Sequence, residues 1–163
     1  MNELLLEWKD FNVAIAGATA ALGGLVIVAA SVNIGDIVKS RSLTARLGSG
    51  IVMLVAALVV SASALMPAIN ETVYGIVVLV IALGALLFQI MITRAVLEDH
   101  DPRHKANWAK VALGFLPVAA YLVAGGLAVA SQPAGLYFAA AGAILAIVAA
   151  LIVSWVALVE VLR

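Results

Sequence analysis

Along this chain the apolar positions come in long unbroken runs, and the polar and charged positions gather between them. Residues 11–34, 47–66 and 74–93 hold no charged side chain, residues 108–130 hold only Lys110 near their start, and residues 134–162 hold only Glu160 near their end. An α-helix rises about 1.5 Å per residue and needs about 20 residues to cross the hydrocarbon of a bilayer. The pattern therefore predicts an all-α integral membrane bundle of five transmembrane helices over these ranges, forming a single domain, 1–163.

The connections are short. The 66–71 stretch, Met-Pro-Ala-Ile-Asn-Glu, and the 131–133 stretch, Ser-Gln-Pro, are breaker clusters that predict tight turns between antiparallel helices. Ahead of the first span, Leu4, Leu5, Leu6 and Trp8 stand beside Glu3, Glu7 and Asp10 and suit a segment lying along the membrane surface. The first apolar run is too long for the 7–15-residue core of a cleaved signal peptide and has no clearly basic leader, so it is expected to remain as a span. No internal repeat stands out, and five spans do not divide into two equal inverted halves of the transporter kind.

The basic residues set the expected orientation. Lys39, Arg41 and Arg46 follow the first span, Arg94, Arg103, Lys105 and Lys110 surround the connection between the third and fourth, and Arg163 ends the chain, so eight share one side and Lys9 alone lies on the other. Positive charge is retained on the cytoplasmic side, which predicts an external amino terminus and a cytoplasmic carboxyl terminus. Tyr137 and Trp155, 18 residues or about 27 Å apart along a helix, match the two interfaces of the fifth span.

Composition sharpens the picture. At 66% hydrophobic and 11% charged residues, the chain lies far from the soluble norm of about half apolar and a quarter charged. Nine acids balance nine bases, so no basic patch argues for nucleic acid. The sequence has no cysteine, which excludes disulfides, thiolate nucleophiles and thiolate-held metals.

Helices in lipid gain little from hydrophobic association and pack where small residues permit close approach. Gly17, Ala20, Ala21, Gly24, Ser31 and Gly35 share one side of the first predicted helix. On the fifth, Gly135, Ala139, Gly142, Ala146, Ala149, Val153, Val156 and Glu160 follow steps of four and three, the rhythm of a left-handed packed seam. The fifth helix is thus expected to be central or to form a subunit contact, although alanine is also simply common in membrane helices.

Among polar positions, Gln89 lies five residues before Arg94 and shares a face with Gly75, Ala82, Ala85 and Thr93. A carboxamide facing lipid is costly, so Gln89 is expected to hydrogen-bond another helix or to touch a ligand or ion. Ser31, Asn33, Asp36, Gln89, Thr93, Asn107 and Ser154 fall at similar depth and suit either a polar vestibule or ordinary helix ends meeting water, with Asn33 and Gly35 closing the first helix. Pro117 is expected to kink the fourth helix. The 98–104 stretch holds His100 and His104 among acids, a spacing that suits metal weakly because Pro102 interrupts it. Gly48-Ser49-Gly50 does not have the separated glycines of a nucleophile elbow. No span contains histidine, aspartate or a mid-depth charge, so neither intramembrane hydrolysis, haem binding nor ion-coupled transport is expected.

The stretch Trp8-Lys9-Asp10-Phe11-Asn12, the glycine and alanine positions through Gly24, and Ser31-Val32-Asn33 resemble the opening of small, uncharacterised bacterial multi-pass integral membrane proteins, with a Trp-x-x-Phe entry and a Ser-x-Asn exit. The likeness covers only the tail and first helix; it implies a bacterial cytoplasmic membrane and carries no reaction, cofactor or ligand. The functional expectation is a non-enzymatic structural or regulatory subunit that associates with itself or with other membrane proteins through small-residue faces. The alternative is a homo-oligomeric channel or passive pore with a polar cytoplasmic vestibule.

Overall fold

The computed structural model describes residues 3–39, 41–97 and 108–161, and the side chains of all these except 3, 41–42, 95–97, 108–112 and 160–161. The described chain is helical: α1 (Glu3–Glu7), α2 (Lys9–Val32), α3 (Ile34–Ile37), α4 (Arg41–Ala64), α5 (Glu71–Leu97), α6 (Trp108–Val129) and α7 (Ala134–Val161). Four stretches are long and apolar enough to cross a membrane, namely Lys9–Val32, Leu43–Ala64, Glu71–Arg94 and Ala134–Val159. A shorter apolar stretch, Leu113–Val129, forms most of α6. Helices are the natural outcome for such runs, because each backbone N–H and C=O is then satisfied within its own segment, away from water.

The helix ends follow from local chemistry. Asn70 caps α5: its Oδ1 accepts from the Val73 N–H at 2.8 Å, and Glu71 adds negative charge to the first turn, so the helix begins ahead of its first apolar residue. After α6, Ser131 adopts a left-handed conformation (φ 55°) while the Gln132 N–H reaches back to the Leu127 carbonyl at 2.9 Å, closing the helix and turning the chain into α7. Ala68 (φ 61°) makes the corresponding reversal between α4 and α5. At the end of α2 the chain does not stop at Asn33. That residue breaks the regular bonding, but its carbonyl accepts from Asp36 and Ile37 and restarts a helical turn, α3. There the Lys39 ammonium meets Asp36 at 2.8 Å, and this hydrogen bond holds the lysine above its usual range.

Packing joins α4, α5, α6 and α7 into a closed ring in which each touches its two neighbours, and α2 lies outside it against α4, with a minor contact to α7. The central helix is therefore α4, with 61% of its span buried against 39% for α7 and 11% for α2. The last helix, α7, expected to be central or to form a subunit contact, closes the ring between α4 and α6.

Small residues bring these helices together. A Cβ at Gly75 would lie 2.6 Å from the backbone nitrogen of Val129, so α5 and α6 touch backbone to backbone, and Gly135 similarly meets the Ala124 carbonyl. On α7 the small face is broader than a single stripe. Gly135, Ala139, Gly142, Ala146 and Ala149 are buried, and so are Leu136, Ala140, Ala143, Ala150, Ser154 and Ala157, a second row in the same four-and-three rhythm. The first row meets α6, where Gly142 lies under the ring of Tyr121; the second meets α4, where Gly50 lies against Ala150 and Ser154. Two rows are needed because α7 packs on two helices at once.

At the amino-terminal end, Leu5 is almost fully buried, so α1 packs onto the bundle. Trp8 stands edge-on to Tyr137 with ring centroids 4.9 Å apart, which puts the starts of α2 and α7 at the same end.

Candidate functional site

Three of the buried polar side chains, Ser49, Gln89 and Ser154, are brought together toward the end of the ring opposite Trp8. Gln89 of α5 is 5% exposed, and its Oε1 accepts a hydrogen bond from Ser49 Oγ of α4 at 2.9 Å. Room for the carboxamide comes from α6, where any Cβ at Gly114 would collide with it. Ser154 of α7, 3% exposed, faces α4 one residue further on: a Cβ at Gly50 would stand 2.9 Å from its Oγ. Ser49 and Gly50, adjacent and about 100° apart around α4, thus meet α5 and α7 respectively. All four ring helices contribute to this layer: α4, α5 and α7 supply the polar side chains Ser49, Gln89 and Ser154, while Gly50 of α4 and Gly114 of α6 leave space for them.

Within the layer the hydrogen bonding is uneven. Thr93, one turn beyond Gln89, donates to the Gln89 backbone carbonyl at 2.8 Å, which spends its hydroxyl on its own helix. Ser154 Oγ has no hydrogen-bond partner among the described residues, and neither does the buried hydroxyl of Tyr121, nearer the middle of the ring. A buried hydroxyl without a partner costs on the order of 1–3 kcal/mol, whereas an interhelical bond such as Ser49 to Gln89 contributes about 0.6–1 kcal/mol in a membrane.

The residues expected to line a vestibule therefore divide. Gln89 and Ser154 lie in one layer, with Thr93 at its edge. Ser31 and Asn33 lie at the end of α2, outside the ring: Ser31 is exposed and donates to the Ile27 carbonyl at 2.8 Å, and Asn33 reaches the Ala29 carbonyl at 3.4 Å. Asn107, the stretch with His100 and His104, and the side chain of Glu160 lie outside the described residues. The residue that sequence reasoning missed is Ser49. Its signal was a serine between two glycines, a polar side chain where two neighbouring helices have room to approach.

The small-residue positions divide too. Gly135, Ala139, Gly142 and Ala146 are buried inside the ring. Gly17, Ala21 and Gly24 are exposed, and a Cβ at either glycine would meet nothing within 4 Å. Inside the chain, α2 packs instead through Asn12, Thr19 and Val26, a row of seven-residue steps on its other side. Asn12 and Thr19 are compatible with that burial because their side chains bond back to Trp8 and Ile15, at 2.9 and 2.7 Å. No family model, curated relative or solved structure matches the chain.

Proposed function

We propose that this chain is a non-enzymatic subunit of a bacterial cytoplasmic membrane, which crosses the bilayer five times with its amino terminus outside, and which associates with itself or another membrane protein through the outer face of α2. The observation that carries the reading is the outward stripe of Gly17, Ala21 and Gly24, a surface on which a second helix can approach closely. The shared end of the starts of α2 and α7 supports an odd number of crossings, and the placement of eight of nine basic residues supports the orientation. The pore reading has less support, because the Gln89 carbonyl oxygen is engaged by Ser49 and its carboxamide fills the space over Gly114.

Cross-linking in liposomes and sizing in mild detergent test the proposal. Gly17→Leu with Gly24→Leu should abolish the associated species while leaving thermal melting unchanged, since neither position is packed within the chain. Ion flux through the same liposomes should not exceed that of empty ones. A double variant that associates normally sinks the reading, and flux that Gln89→Leu removes supports a pore in its place.

A further inference from the structure

Where α2 begins and α4 ends, Leu5, Leu6, Lys9 and Val13 form one wall of a half-open groove of about 340 Å³, and Ala64, Leu65 and Pro67 form the other. Six of these seven side chains are apolar, and the seventh is the only lysine or arginine in the first 38 residues. Glu7 and Asp10 flank Lys9 in sequence, yet they do not line the groove. The groove is prebuilt, since Leu5 is buried to 2% exposure and Trp8 is held against Tyr137.

We propose that this groove binds one phospholipid of net negative headgroup, with the upper part of an acyl chain between the apolar walls and the headgroup phosphate beside Lys9. Its volume of about 340 Å³ is at the lower end of small-ligand sites. The position suits a lipid, because the groove lies where α2 begins and α4 ends, which in a bundle spanning a bilayer is the level of headgroup and glycerol. Hydrocarbon walls give no preference among phospholipids, since the surrounding tails are equally apolar. Discrimination therefore comes from Lys9, and one cation at a membrane surface is worth about a fivefold preference for an anionic lipid. The proposal requires the chain to reside in a bilayer and is independent of any association through α2.

The test is native mass spectrometry of the full-length protein released from nanodiscs containing equal phosphatidylglycerol and phosphatidylcholine with identical chains. The unmodified protein should retain one lipid, enriched about fivefold in phosphatidylglycerol. Lys9→Gln should erase the enrichment, Lys39→Gln should preserve it, and Val13→Phe, which fills the groove from an exposed position, should lower retention of both lipids. Circular dichroism checks that each variant is folded. Equal retention of the two lipids by the unmodified protein, or a preference that survives Lys9→Gln, overturns the proposal, as does an apolar peptide adduct that lipid does not displace. A protein that never enters the nanodisc fails the membrane reading instead.

Discussion

Gln89 shows what one residue type at one depth can specify. A carboxamide several residues inside an apolar run has to find a partner in the bundle, and that necessity was readable from the sequence; the identity of the partner was not. It depended on the rotation of α4 about its axis, which places Ser49 toward α5 and Gly50 toward α7. If the Ser49 to Gln89 bond ties the ring together, Ser49→Ala and Gln89→Leu should each cost on the order of 1 kcal/mol, about 2–4 °C in melting temperature. The double variant should cost little more than either one, a coupling that a double-mutant cycle in detergent micelles measures directly. Additive losses would mean that the two side chains do not share a bond.

At the scale of elements, the apolar runs located the helices to within six residues at each end, and the differences have physical causes. The helix that carries the third predicted span begins at Glu71, three residues ahead of Tyr74, because an asparagine cap and an acidic first turn extend a helix past its apolar part. Helix faces were harder to read. In water the apolar side of a helix points inward, but in lipid both sides are apolar, so a small-residue stripe identifies a close contact without saying whether the partner belongs to the same chain. The stripe on α7 packs within the ring, and the one on α2 does not. Ala146, fully buried at the heart of the first α7 row, makes the contrast testable. Ala146→Leu should overpack the ring and cost about 1–3 kcal/mol, whereas Ala21→Leu on the outer face of α2 should leave the melting temperature unchanged.

For the whole molecule, the proposed orientation has a direct readout. A reporter active only in the cytoplasm should be active when fused after Arg163 and silent when fused ahead of Glu3. Activity at both ends would require an even number of crossings and would make α6, whose described apolar stretch is the shorter one, the first candidate for a helix that fails to cross. The ring also implies an order of assembly. Contacts of α4 with α5, α5 with α6, and α6 with α7 join consecutive helices, but the contact of α4 with α7 spans the chain and needs the last helix to be present. Without α7 the other ring helices would leave an open crescent, with Gly50 and the adjoining face of α4 uncovered. A chain terminated before Ala134 would keep that face uncovered permanently and should be degraded faster than the complete chain, a difference that pulse-chase labelling measures.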